Sequence, residues 1–332
     1  MRLRTLGAAV VLGLAAALAF FAWQILTPTD ALRAGALVVE VPPHEGVVEI
    51  AARLREAGVI RARWPFVALA LVTGSARRLK AGEYEIERGA RMLDILGLIE
   101  SGRVKQHTVL HPEGATVLEL ARALETERLA STDDVMRAAA EPALLKTLGI
   151  EGPSVEGYLF PDTYQFVRGM TPAEMLTRMV QRMRGKLTPE VLGRAREKTL
   201  SPHQLLTFAS IVEREAVVQE ERKLIAAVFW NRLKRDMPLQ ADPTVQYAVG
   251  KERRALTRAD LETDDRFNTY RHPGLPPGPI ASPGIASIEA VLDPAPVNYL
   301  YFVAEDERRH HFSRTMSEHN AAVARYRLGR PR

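Results

Sequence analysis

The chain of 332 residues is long enough for two domains of ordinary size. Its composition, 46% apolar and 26% charged, is typical of globular proteins, and the aromatic share of 6% predicts a largely aliphatic core. The absence of cysteine excludes a disulfide framework, a thiolate zinc site and a cysteine nucleophile. The net charge of +5 is too small to indicate a nucleic-acid partner, so we expect none.

An uncharged stretch near the N-terminus, Leu6 to Leu26, predicts one membrane-spanning helix. At about 1.5 Å per residue it spans about 30 Å, the thickness of the hydrocarbon core of a bilayer. Arg2 and Arg4 precede it, which predicts a cytoplasmic tip at residues 1–5 and a periplasmic chain anchored in the inner membrane. The alternative is a cleaved signal peptide with Ala34-Gly35-Ala36 as the cleavage site, although the apolar region of such peptides usually has about 7–15 residues.

Residues 37–108 are expected to form a small module of their own. Strands are predicted over Leu37 to Val41 and Leu79 to Ile86, with helices over Val47 to Leu54 and Arg63 to Leu71 between them. This β-α-α-β order resembles a LysM-like module, a fold whose usual ligand is the N-acetylglucosamine backbone of cell-wall glycans. A purely structural spacer shows the same order, so the pattern leaves both interpretations open.

Residues 109–330 predict a larger, mainly helical domain, so the fold class is α+β. Four of its helices are expected to start at N-cap hydroxyls: Ser131, Thr171, Thr188 and Ser201. The last three precede a proline at the first helical position, and two complete a capping box with Glu174 or Gln204. A Pro/Gly-rich loop, a strand over Asn298 to Ala304 and a closing helix within His310 to Tyr326 end the domain.

The motifs that are missing narrow the chemistry. The sequence lacks the signatures of zinc proteases, α/β-hydrolases, penicillin-type serine enzymes and nucleotide-binding loops. His310 and His311 are adjacent in an extended segment, where their side chains point apart and make a poor metal site. We therefore expect no metal and no cofactor, and the remaining option is carboxylate chemistry.

The helix that starts at Ser201 carries the main catalytic candidate, Glu213. The helix is predicted to continue to Val218, and the neighbours of Glu213 on its face are apolar or small: Leu206, Ala209, Ser210, Ala216 and Val217. Burial there would disfavour the charged form of the carboxyl, as a general acid requires. A carboxylate at the edge of the core that pairs with an arginine such as Arg232 fits the pattern equally well. Glu215 is rotated by about 200° from Glu213 and is expected to be a plain surface charge.

Three other segments combine carboxylates, amides and aromatic rings, as sugar-binding sites do. Their candidate substrate-binding residues are Glu156, Asp162, Gln240, Asp242, Gln246, Asn268 and Tyr270. Each of them taken singly is also typical of a turn or a helix cap.

Several long motifs, in this order, closely resemble those of the YceG-like endolytic murein transglycosylase family. They are LKAGEY from Leu79, EGYLFPDTY from Glu156, ASIVEREA from Ala209, LQADPTVQY from Leu239, FNTY from Phe267 and GLPPGPIASPG from Gly274. The resemblance extends over nearly all of the chain after the apolar stretch. Phe267 departs from the tyrosine that is common at this position in the family, which puts one hydroxyl contact in doubt.

The resemblance implies a lyase that cuts nascent peptidoglycan strands between N-acetylmuramic acid (MurNAc) and N-acetylglucosamine (GlcNAc). It implies that a 1,6-anhydroMurNAc end is left, which terminates or trims chain elongation, and that residues 109–330 are the catalytic domain. The family's single catalytic glutamate matches Glu213, and the implied partners are glycan strands and synthases such as penicillin-binding proteins. The alternatives are a non-catalytic, membrane-anchored glycan-binding scaffold and a hydrolytic muramidase.

Overall fold

The computed structural model describes residues 2–251, 254–306 and 308–328. Residue 1 of the predicted cytoplasmic tip and residues 252, 253, 307, 329 and 330 of the predicted larger domain lie outside the described residues. Helices alternate with small two-stranded sheets, so the predicted α+β class is confirmed. The chain forms two compact units: the described residues up to His107 with Gln165–Gly169, and Thr108–Tyr164 with the chain from Met170 onward.

The first unit contains the predicted β-α-α-β order. Its elements are α1 (Arg2–Leu26), α2 (Asp30–Ala34), β1 (Leu37–Val41), α3 (Val47–Glu56), α4 (Arg63–Val72), a short 3-10 helix (Ser75–Arg77), β2 (Gly82–Ile86) and α5 (Met92–Ser101). β1 and β2 pair antiparallel, with Leu37 opposite Ile86. Helix α1 is long and apolar enough to cross a membrane, and Ile25 in its last turn is buried in the core of this unit.

The second unit is mainly helical. Its elements, some of them at the division between the units, are β3 (His107–His111), α6 (Val117–Thr126), α7 (Thr132–Ala139), α8 (Pro142–Thr147), β4 (Asp162–Phe166), α9 (Pro172–Lys186), α10 (Pro189–Glu197), α11 (Pro202–Glu215), a 3-10 helix (Gln219–Glu221), α12 (Arg222–Leu233), α13 (Asp242–Ala248), α14 (Arg258–Leu261), α15 (Ile285–Leu292), β5 (Tyr301–Ala304), β6 (His310–Ser313) and α16 (Met316–Leu328). β3 pairs with β4, and β5 pairs with β6.

The predicted helix starts are confirmed. The side chains of Ser131, Thr171, Thr188 and Ser201 each accept a hydrogen bond from a backbone N–H in the first turn of the helix that follows. Both capping boxes are present as well. These starts were predictable because a cap is a local arrangement of the side chain and the backbone next to it.

The predicted ends were less accurate. Helix α11 ends at Glu215, three residues before Val218, because Ala216 takes an extended conformation with ψ of 115°. The segment predicted to hold the closing helix begins with strand β6, and the helix itself starts at Met316. Every residue of α11 from Leu205 to Glu213 is buried, since this helix packs against α12, α13 and α15.

Candidate active site

A cleft of about 340 Å³ opens where α11 ends and α13 begins. Its lining residues are Glu113, Gly114, Glu213, Arg214, Glu215, Asp242, Pro243 and Gln246. Acidic side chains predominate in this lining, so the charge state of each carboxyl depends on its neighbours. The cleft is therefore built for acid-base chemistry.

Glu213 is held in place by two polar partners. It is only 8% exposed, and its Oε1 lies 3.0 Å from the Nη2 of Arg222, while the backbone N–H of Gly284 donates to its Oε2 at 2.9 Å. Arg222 in turn donates from Nε to the Oγ of Ser287 at 3.1 Å. Both partners of Glu213 interact best with an ionised carboxylate.

Arg232, which the sequence offered as a partner for Glu213, has a different structural role. It is 7% exposed, and its guanidinium donates to the backbone carbonyls of Pro238, Leu239 and Leu300. The bonds to Pro238 and Leu239 hold the segment that leads into α13, and the bond to Leu300 holds the start of β5. The predicted burial and arginine pairing of Glu213 are both present, but the arginine is Arg222.

Glu113 lies at the side of the cleft, 3.7 Å from the Nη2 of Arg222. Partial burial raises the pKa of Glu113, and the negative charge of Glu213 raises it further, although Arg222 opposes the shift. The turn that presents Glu113 requires Gly114 in the left-handed region, with φ of +72°. Reciprocal backbone bonds tie this turn to the Ser282 segment, since Gly114 N–H donates to Ser282 O and Ser282 N–H donates to Ala115 O.

Glu215, the last residue of α11, is the most perturbed carboxyl of the cleft. It is half-buried, and burial raises its pKa to about 8, with the negative charge of Asp242 adding to the shift and Arg232 and Arg214 opposing it. The expectation of a plain surface charge is wrong, because the early end of α11 leaves this side chain in the cleft and not in open solvent. Glu215 is therefore mostly protonated at neutral pH.

Asp242, at the start of α13, is fixed by a tyrosine. The hydroxyl of Tyr270 donates to its Oδ1 at 2.6 Å, and burial raises the pKa of Tyr270, with the bond to Asp242 adding to the effect. Asn268 is fully buried and braces the same loop: its Oδ1 accepts from the Tyr270 N–H, and its amide donates to the carbonyls of Leu261 and Thr263.

The other predicted substrate-binding residues are distributed unevenly. Gln246 lines the cleft and donates to the carbonyl of Arg254 at 2.7 Å, while Gln240 accepts a bond from Arg232 at 3.3 Å. Glu156 is buried and accepts the N–H of Val117 at the start of α6, and Asp162 pairs with Arg182 at 2.8 Å. The structure thus brings Glu213, Asp242 and Gln246 together, with Tyr270 bonded to Asp242, but places Glu156 and Asp162 outside this lining.

Three residues of the site were missed by the sequence reasoning: Glu113, Glu215 and Arg222. Glu215 lies inside the motif ASIVEREA, which carried the family resemblance, so a signal for it existed. Glu113 precedes a glycine in a Pro-Glu-Gly turn, and its position beside Glu213 follows only from the tertiary fold.

The fold and the cleft together define a class of protein. A half-buried carboxyl that keeps its proton at neutral pH stands near an ion-paired glutamate, an aspartate held by a tyrosine, and an amide. Enzymes that cleave glycosidic bonds by acid-base catalysis need such a proton donor beside polar groups that orient a sugar.

Comparison with known proteins gives a consistent answer. The model of the YceG-like family matches residues 39–325. The endolytic murein transglycosylase of Bacillus subtilis is 34% identical over 91% of this chain and 88% of its own length, and that of Streptococcus pneumoniae is 32% identical over 96% of this chain and 64% of its own. The crystal structure of a yceG-like protein from Listeria monocytogenes has a TM-score of 0.61 at 33% identity, covering 86% of this chain and 98% of that one. The chain belongs to the YceG-like family.

Proposed function

We propose that this protein is an endolytic murein transglycosylase, a lyase that cuts peptidoglycan glycan strands between MurNAc and GlcNAc and leaves 1,6-anhydroMurNAc ends. Relatives that carry this name match most of the chain. The observation that supports the chemistry is the acidic cleft at the end of α11, where burial and Asp242 raise the pKa of Glu215 to about 8. A pKa of about 8 leaves roughly ten protonated molecules for each ionised one at pH 7.

The geometry favours Glu215 over Glu213 as the proton donor. The sequence motif led to Glu213, two residues earlier in the same helix, but that carboxylate is occupied by Arg222 and by the N–H of Gly284. A proton on Glu213 would weaken both interactions. No hydrogen bond or ion pair engages the Glu215 carboxyl among the described residues, so its proton is free for a substrate.

The mechanism needs one carboxyl used twice. Glu215 donates its proton to the glycosidic oxygen, the bond from that oxygen to C1 of MurNAc breaks, and positive charge develops at C1. The C6 hydroxyl of the same sugar then attacks C1, and the carboxylate of Glu215 takes the hydroxyl proton. Water is not consumed, and the intramolecular nucleophile has a high effective concentration.

The neighbouring groups support this role of Glu215. The negative charge of Asp242 keeps the proton on Glu215 before the reaction and favours positive charge at C1 during it. Tyr270 holds Asp242 in position, and the ion pair of Glu213 with Arg222 fixes the end of α11. Gln246 offers an amide to the hydroxyl or N-acetyl groups of the glycan.

The location of the protein follows from α1. We propose that this helix anchors the chain in the cytoplasmic membrane, with the N-terminus inside and the domains at 37–108 and 109–330 outside. The support is an uncharged segment preceded by Arg2 and Arg4. In this position the cleft acts on nascent strands, and peptidoglycan synthases of the penicillin-binding class are the partners that supply them.

The test compares Glu215→Gln, Glu213→Gln and the exposed control Glu220→Gln in the full chain, with purified glycan strands as substrate. Glu215→Gln should reduce the release of anhydro-ended products about 10²- to 10⁴-fold, and Glu220→Gln should leave it unchanged. If Glu213→Gln abolished activity while folded and Glu215→Gln did not, Glu213 would be the acid. Full activity of both variants would show that neither carboxyl is the acid, whereas no product from the unaltered chain would favour a non-catalytic scaffold.

A further inference from the structure

An apolar surface of the first unit is exposed to solvent. Helix α4 buries Pro65, Phe66, Val67 and Ala70 on one side. On the other side Trp64, Leu71 and Val72 are 70%, 62% and 88% exposed. Leu71 and Val72 follow Trp64 by seven and eight positions, which is about two helical turns. The three residues therefore share one side of the helix, which we call the α4 face.

The α4 face starts beside the end of the membrane-length helix α1. The Arg61 guanidinium lies 4.6 Å from the ring centroid of Trp23 and donates to the carbonyls of Thr27 and Pro28. Trp64 follows Arg61 by three residues, so their Cα atoms are within about 10 Å of each other. Tryptophan is enriched where a spanning helix leaves the hydrocarbon, which puts Trp23 at the level of the lipid headgroups.

The segment that carries the α4 face is basic, and Arg78 within it pairs with Glu100 at 3.0 Å. Residues 61–80 contain five basic side chains and no acidic one. Arg63 and Arg77 are exposed and form no ion pair within the part of the chain that the structure describes. An apolar helix face flanked by basic residues is the pattern of a helix that lies in the interface of an anionic bilayer.

We propose that the α4 face rests in the headgroup layer of the membrane that α1 enters, with the flanking arginines on anionic phospholipids. The inference depends on the proposed anchoring by α1. It adds a second membrane contact, which holds the first unit against the bilayer surface. The rigidity of this arrangement comes from the end of α1 and from α2, because Ile25 of α1 and Leu32 of α2 are both buried in the core that α4 helps to form.

The absence of cysteine makes the test direct, since a single introduced cysteine can be labelled in the full chain. Leu71→Cys places an environment-sensitive fluorophore on the α4 face. Val38→Cys is the matched control, because Val38 is 44% exposed on β1 while its neighbours Val39 and Val41 face the core. Both labelled chains are reconstituted in vesicles of phosphatidylcholine and phosphatidylglycerol.

The Leu71 label should emit at shorter wavelength than the Val38 label and lose intensity when lipids with a spin label in the acyl chain are added. Arg63→Glu combined with Arg77→Glu should reduce that loss. If the chain floats with the vesicles but the two labels show equal emission and equal quenching, the proposal is overturned. A blue-shifted Leu71 label that lipid does not quench would also overturn it, since a protein would then cover the face. A chain that did not float would overturn the anchor and this proposal together.

Discussion

The raised pKa of Glu215 predicts that removing its charge stabilises the fold. A glutamate has an ordinary pKa of 4.5, and that of Glu215 is about 8 in the folded protein, so the folded state binds the proton more tightly than the unfolded state. Ionising Glu215 therefore lowers the free energy of unfolding. This loss of stability is absent below pH 4.5, grows as the pH rises, and is complete above pH 8. At pH 7 it is at most about 3 kcal/mol, and solvent screening at a half-buried group reduces it to about 1–2 kcal/mol.

Glu215→Gln should therefore raise the melting temperature of the full chain by a few degrees at pH 7 while slowing catalysis about 10²- to 10⁴-fold. Glu213→Gln should have the opposite effect on stability, because the half-buried Arg222 loses its closest charged partner and keeps only Glu113 at 3.7 Å, at a cost of roughly 1.5–3 kcal/mol. Thermal unfolding in detergent at pH 4.5, 7 and 8.5 measures both variants. A lower melting temperature of Glu215→Gln at pH 7, or a gain in melting temperature that does not change with pH, would contradict the raised pKa of Glu215.

Three further predictions concern the surroundings of the acid. Activity should fall as the pH rises past about 8, because Glu215 then loses its proton. Asp242→Asn removes one negative charge and should move this fall in the pH–rate profile lower by roughly one pH unit. A fall at the same pH in the variant would argue against Glu215 as the acid. Tyr270→Phe should lower kcat/KM roughly 5- to 20-fold in initial-rate assays through loss of the bond to Asp242, and an unchanged value would exclude this positioning role. Glu156→Gln weakens the bonds to the Val117 N–H at the start of α6 and should lower the free energy of unfolding by about 0.5–1 kcal/mol in denaturant, with the rate of product release unchanged. A slower release at equal stability would indicate that Glu156 contacts the substrate.

Local features were the part of the fold that the sequence made predictable. Strand β1 and the start of α11 at Ser201 were predicted correctly because alternation and capping depend on residues close in the chain. The end of α11 was not, since Val217 and Val218 continue an apolar pattern and only the tertiary environment makes Ala216 extended.

The same limit applies to the site. Helical periodicity predicted that Glu213 is buried, but the choice between Arg222 and Arg232 as its partner depends on how α12 packs. Periodicity also predicted a solvated Glu215. Its pKa is raised by burial and by Asp242, which is 27 residues away in the sequence, so no local pattern contained this information.

The most direct measurement of the central claim is the mass of the products that the full chain releases from purified glycan strands. A reaction completed by the sugar's own C6 hydroxyl gives anhydroMurNAc ends, one water lighter than hydrolytic products, and Glu215→Gln should release them at least about 100-fold more slowly. Reducing MurNAc ends, one water heavier, would contradict the transglycosylase mechanism and identify a muramidase.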